Sequence, residues 1–362
     1  MRPKAHIVDL PVYQPGRPIE DVKRAYGLTD VIKLASNENP FGFSPRVREA
    51  VTRALPLANR YPDGAATALR RALAAHLGVA EEALIFGNGS DEIVQLIARA
   101  YLAPGTSTVM ATPTFPRYKT NAVIEGARVI EVPLKDGRCD LDAMAAAVTD
   151  DTRVVWVCNP NNPTGTMVTH DELAAFLARM PRNVLVVLDE AYVEYVTDAR
   201  FPRSLELLRT HENLILLRTF SKIYGLAGFR IGYGIAAPAV IDALNRVREP
   251  FNTSFVAQAA ALAALEDQAF VAACVQKNEE GKRQLSDGFV RLGLRHYETH
   301  ANFILVDVER PAGAVFEALL RQGVIVRSGE ALGFPTALRV TIGDAAQNRR
   351  LLEALAAALV EA

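Results

Sequence analysis

Lys222 sits in RTFSKIYGLAGFRIGYG (218–234), after Ser221 and ahead of Arg230, eight residues on (230 − 222 = 8). A lysine in such apolar company must be paired, deprotonated or used covalently if it is buried. The plain alternative is an exposed lysine at a strand end. Further chemistry-bearing residues stand in similar places. DEAY (189–192) closes an apolar run with Asp189 and Tyr192, where a half-buried carboxylate needs a positive partner. NPNNPTG (159–165) follows VVWVC and makes a turn of fixed shape from which Asn162 can donate its amide. GNGSDE (87–92) opens a helix, so Ser90 and Asp91 stand where free N–H groups and the positive helix end favour an anion. Phe115 in TPTFPRY can stack on a flat ring. Taken singly, each has an ordinary structural reading: a capped helix, a tight turn, an N-cap Asp with a core Tyr, a core Phe.

The elements that must position these residues run from about 82 to 240. Short apolar, β-rich runs alternate there with helical patterns, which indicates a mostly parallel sheet covered on both faces. FRIGYGIA follows NLILLRTF after too short a connection for a parallel crossover, so one antiparallel strand is expected. In such sheets ligands sit at the carboxyl ends of the strands, and the positions above fall at that edge. Together they offer an amine, an anion site with Ser221 and the Arg230 fork, a carboxylate for a ring nitrogen, hydrogen-bond partners for a ring hydroxyl, and a stacking ring. That inventory describes pyridoxal 5′-phosphate held through a lysine as a Schiff base.

Bulk properties narrow the field. The chain has 362 residues, is half hydrophobic and has a formal net charge of −1, so no global field attracts nucleic acid or an anionic membrane. No run approaches a membrane span, and the charged, proline-rich start lacks a signal-peptide core. Cys139, Cys158 and Cys274 lie far apart, which argues against a disulfide framework and fits a reducing cytoplasm. Six scattered histidines give no metal motif. The missing Gly-rich fingerprint disfavours a nicotinamide dehydrogenase, and the lack of a helix-turn-helix extension disfavours a DNA-binding regulator. The expected organisation is an N-terminal arm (1–45) joining a small domain, a large domain (46–250) and a small C-terminal α+β domain (251–362).

The chain resembles fold-type-I pyridoxal-phosphate-dependent aminotransferases, and within them the histidinol-phosphate aminotransferases. NPNNPTG, LDEAYVEY and RTFSKIYGLAGFRIGYG are shared by many aminotransferases. LPVYQPGRPIE, KLASNENPFG, VIVRSG and LRVTIG narrow the match to histidinol-phosphate enzymes and close aromatic relatives. The resemblance implies an α/β fold with a mostly parallel seven-stranded sheet. It also implies that Lys222 binds the cofactor and then moves the proton, with Asp189 pairing with the ring nitrogen. Tyr192 and Asn162 hold the ring oxygen, and Phe115 stacks where many relatives have Tyr. Ser90, Asp91, Ser221 and Arg230 bind the phosphate, joined by Tyr61 from a second copy in a homodimer. Arg339 takes the substrate's acidic group, Arg327 and Tyr13 its phosphate, and Asn37 lies nearby. The implied reaction is ping-pong transamination of L-histidinol phosphate with 2-oxoglutarate, giving imidazole-acetol phosphate and L-glutamate, a step of histidine biosynthesis. An aromatic amino acid aminotransferase is the alternative, and a decarboxylase of the same fold a third reading.

Overall fold

The computed structural model describes residues 3–12 and 16–361. Its larger sheet holds seven strands: β2 (Leu84–Gly87), β3 (Ser107–Thr112), β4 (Arg128–Pro133), β5 (Thr152–Cys158), β6 (Leu185–Asp189), β7 (Leu214–Thr219) and β8 (Gly232–Ala236). They lie in the order β2-β8-β7-β6-β5-β3-β4. All pairings are parallel except those of β8, which runs antiparallel to both β2 and β7, as its short connection from β7 requires. Alternate residues along the central strands feed different cores. Val155, Val186 and Leu216 face one cluster, and Trp156, Val187 and Leu217 face the other. A sheet buried on both faces needs apolar side chains on both, which is why these strands read as continuous apolar runs.

The smaller lobe has a four-stranded sheet in the order β12-β13-β10-β9, with β9 (Arg295–His296), β10 (Phe303–Asp307), β12 (Arg327–Ser328) and β13 (Ala337–Thr341). Beside it, β1 (Ile32–Lys33) pairs in parallel with β11 (Val324–Ile325). The apolar segment GVIVRSG (323–329) therefore splits, its first half joining the N-terminal arm and its second half joining β13. The arm is held further by Tyr26, whose hydroxyl donates to Glu317 at 2.8 Å.

The two cores do not change over at 250–251. The helix Phe255–Leu265 lays Ala257, Ala260, Ala261 and Ala264 into the large-sheet cluster, against the helices Pro45–Ala54 and Thr67–Leu77. Small side chains let these helices approach closely. After a 77° bend the helix Gln268–Arg291 begins in the same cluster with Val271 and Cys274, and ends in the small-lobe core with Leu285 and Phe289. An alanine-rich sequence reads as helix but does not say which core it joins. Among the described residues no single helix is long and apolar enough to cross a membrane.

Candidate active site

Strand ends β2, β3, β5, β6 and β7 deliver the expected residues to one edge of the sheet, and β13 of the small lobe faces them. Leu338 and Val340 of β13 point into the small-lobe core, so Arg339 and Thr341 take the other face. There they close a hydrogen-bonded ring with the large lobe. Thr341 Oγ1 donates to Asn37 Oδ1 at 3.1 Å, and Asn37 Nδ2 donates to the Tyr192 hydroxyl at 3.0 Å. Asn162 Nδ2 donates to the same hydroxyl at 3.4 Å, and Arg339 Nη1 donates to Asn162 Oδ1 at 2.7 Å.

A guanidinium can only donate, so Arg339 fixes which end of the Asn162 amide faces Tyr192. The Tyr192 oxygen then accepts twice, and its own proton is left to donate to a ligand oxygen. Burial drives the Tyr192 hydroxyl well above its usual range, so it stays protonated.

Lys222 follows β7, with its Nζ over the Tyr192 ring at 5.6 Å from the centroid. Burial, then the positive charge of Arg339, lowers its pKa from 10.5 to about 8. A substantial neutral fraction near neutral pH makes the amine a nucleophile.

Asp189 is buried at the end of β6, and burial raises its pKa from 3.8 to about 6. Its partners are neutral: the Tyr118 hydroxyl donates at 2.6 Å and the Ala191 N–H at 3.2 Å. Tyr118 is a residue that motif reading missed. It is fully buried, stacked on Trp156 at 4.9 Å and edge-on to Phe115 at 5.5 Å. The available signal was its place three residues after Phe115, on the first turn of the helix Arg117–Ile124.

The helix Ser90–Tyr101 starts without a side-chain cap, so its first N–H groups are open to an anion. Gly89 has φ 73°, and a Cβ there would meet Arg230 Nη2 at 2.5 Å. A Cβ on Gly232 would meet Ser90 N at 2.5 Å. Both glycines let Arg230 and β8 press against this helix start. Arg230 Nη2 lies 3.7 Å from an Asp91 carboxylate oxygen. Ser221 is buried just past the end of β7, its N–H turned to Thr219 Oγ1 at 3.0 Å.

Arg327 is half-buried on β12, directly opposite Arg339 in the antiparallel register. Like charges so paired repel unless an anion lies between or beside them. Two expected residues stand apart. Tyr61 is 82% exposed and stacked on Phe251 at 4.8 Å, and none of its recorded contacts is with the Lys222 cluster. Tyr13 lies outside the described residues.

The donor set fits a flat, phosphorylated, cationic-ring cofactor. A buried carboxylate has only neutral hydrogen-bond partners, an uncapped helix start faces an arginine, and a neutralisable amine lies within the field of Asp91 and Arg230.

Relatives agree with this geometry. The family model for aminotransferase class I and II matches residues 29–355, a span holding all the site residues above except Tyr13. The chain is 58% identical over 361 residues to the histidinol-phosphate aminotransferase of Geobacillus sp. (strain WCH70), covering 100% of this chain and 99% of that protein. It is 56% identical over 357 residues to the protein of the same name from Bacillus subtilis (strain 168), covering 98% and 99%. The structure of histidinol-phosphate aminotransferase from Sinorhizobium meliloti in complex with pyridoxal-5'-phosphate matches with a TM-score of 0.92 at 31% identity, over 99% of this chain and 98% of that one. With a match over most of its length and a lysine, carboxylate and anion cradle at one sheet edge, the chain belongs to the class I and II aminotransferase family.

Proposed function

We propose that the protein binds pyridoxal phosphate and transfers the amino group of L-histidinol phosphate to 2-oxoglutarate by a ping-pong route, in the cytoplasm. Relatives at 58% and 56% identity carry that name. The observation that carries the substrate assignment is the Arg327–Arg339 pair across β12 and β13, two fixed cations suited to an acidic group at the cleft.

When bound, the cofactor supplies an electrophilic carbon for the substrate amine and an electron sink for its Cα. The chain's own residues do the rest. Ser90, Asp91, Ser221 and Arg230 anchor the phosphate. Asp189 keeps a proton on the ring nitrogen, and its buried carboxylate gains a positive neighbour. The Tyr192 hydroxyl and the Asn162 amide orient the ring oxygen, and Phe115 covers a ring face. Lys222, an amine of lowered basicity, would take the proton from the substrate Cα as general base. Arg339 orients the carboxylate of glutamate, and Arg327, joined by Tyr13, the phosphate of histidinol phosphate.

Steady-state comparison of histidinol phosphate, phenylalanine and tyrosine with 2-oxoglutarate tests the reading. Higher kcat/KM for either aromatic amino acid overturns it in favour of the aromatic alternative. Arg327→Ala is expected to lower kcat/KM for histidinol phosphate about 10- to 100-fold, the worth of a charge-assisted contact, with little effect on phenylalanine. Unchanged kcat/KM for histidinol phosphate removes Arg327 from the phosphate site.

Two copies are proposed to share their sites, with Tyr61 of each reaching the other's cofactor phosphate. The support is its exposure, stacked on exposed Phe251 and a few residues along the chain from exposed Leu55 and Leu57. Sedimentation at micromolar concentration should give a dimer, and a monomer with full activity rules the sharing out.

A further inference from the structure

The strands that deliver Asp189 and Lys222 lie side by side. Their last backbone contact is the Glu190 N–H donating to Leu217 O at 2.8 Å. Past it the two segments part. Residues 191 and 192 turn into the site, while the Phe220 N–H donates to Ile231 O at 3.1 Å instead.

A side-chain bridge takes over where the ladder stops. Arg218 donates to Glu190 Oε2 through Nε at 2.9 Å and lies within 2.8 Å of it through Nη2. Ser204 Oγ donates to the same oxygen at 3.1 Å and accepts from Arg218 Nη2 at 3.2 Å. The Glu190 side chain is 0% exposed and that of Arg218 is 11% exposed. Both lie on the opposite sheet face from Asp189, since side chains alternate along a strand.

Burying two charges is expensive, and apolar residues of the same volume often pack as well or better. Here the pair sits one residue after Asp189 and four before Lys222 (222 − 218 = 4). Arg218 is also the cation beside a cluster of further polar groups. Glu190 Oε1 and Glu194 Oε2 have no hydrogen-bond partner, and Tyr233 and His76 lie within its field.

We propose that the Glu190–Arg218–Ser204 bridge is a positioning device that sets the spacing of the Asp189 carboxylate and the Lys222 amine, the two groups that must meet opposite parts of one ring. The inference rests on the functional reading above. It assigns the bridge no contact with substrate or cofactor. It acts by holding the two strand ends in one geometry, and small displacements there carry large rate penalties.

The test uses the cofactor-loaded enzyme in two variants. Glu190→Leu with Arg218→Met removes both charges and keeps apolar volume. Arg218→Lys keeps the charge but loses the fork that reaches Glu190 and Ser204 together. Each is assayed for melting temperature, for kcat and KM separately, and for the pH midpoint of the visible absorption band.

Expected in both is a kcat lowered about 10- to 100-fold with KM moved less than about 3-fold. The spectral midpoint should shift by more than about half a pH unit, since one unit is a tenfold change in the proton equilibrium. Arg218→Lys should show the smaller change. A folded variant with wild-type kcat and an unmoved midpoint overturns the proposal, and Arg218→Lys decides it alone if the double variant does not fold. A wild-type protein that shows no visible band with added cofactor fails the functional reading instead, so the two failures are told apart.

Discussion

A Lys222→Ala enzyme is expected to turn over on the order of 10⁴-fold more slowly than the wild type, at the upper end of what a positioned general base contributes. Burial and Arg339 together bring the amine to a pKa of about 8, low enough to be neutral in part at neutral pH and basic enough to take a proton. Around it, Tyr192 and Arg339 offer no replacement base, one being kept protonated by burial and the other being a permanent cation.

The sign of the pH effect follows. The cofactor-free protein takes up cofactor through the neutral amine, so uptake should quicken as pH rises through about 8. Its stability moves the same way. The folded pKa lies below the ordinary 10.5, so the unfolded chain binds more protons between about 8 and 10.5, and stability rises across that window. The alanine variant should lack both trends. Stopped-flow cofactor uptake and steady-state kcat at saturating substrates check this, and an alanine enzyme within tenfold of wild type would remove Lys222 from the proton transfer.

Asp189→Asn should separate stability from catalysis by moving them in opposite directions. In the cofactor-free protein, Asp189 has its pKa raised from 3.8 to about 6 by burial among neutral partners. The folded state therefore binds the extra proton, and the stability it adds is present below about pH 4 and lost as pH rises through 6. A shift of about two units corresponds to about 3 kcal/mol at most. The asparagine variant should thus melt higher than wild type above pH 6 without cofactor. With cofactor the order should reverse, because the carboxylate's charge is then used, and kcat should fall about 10²- to 10³-fold, typical of losing one preorganised electrostatic group.

Tyr118→Phe sharpens the same test. Its hydroxyl lowers the Asp189 pKa, so removing it should extend the loss of stability to higher pH. Melting curves from pH 4 to 8 for the three proteins, with and without cofactor, decide the matter. An asparagine variant less stable than wild type in both states would defeat the assignment.

The sheet and its one antiparallel strand were legible because parallel strands covered on both faces leave a plain apolar record, and a two-glycine link from Ser221 to Arg230 is too short for a crossover. The polar residues at strand ends were legible for the converse reason: Asp189, Asn162 and Lys222 break apolar runs at places where packing alone does not call for them. Tyr118 stayed hidden because an aromatic among apolar residues looks like core, which it also is, and its bond to Asp189 joins a helix to a strand end 71 residues away in sequence. The role of Arg218 was hidden in the same way, since nothing local to RTFSK names Glu190 as its partner. The changeover of cores within one long helix depends on which helices its alanines meet, and periodicity carries no such information.

The hydrogen-bonded ring at the site starts and ends on β13, at Thr341 and Arg339, with Leu338 and Val340 turned the other way. Side chains alternate with a period of two, so sliding this strand by a single residue would send both polar groups into the small-lobe core and both apolar groups toward Asn37 and Asn162. The alignment of one short strand near the chain's end thus decides whether two asparagines and a tyrosine from elsewhere in the sequence have anything to grip. Strand register, usually a matter of packing, is here a condition for chemistry.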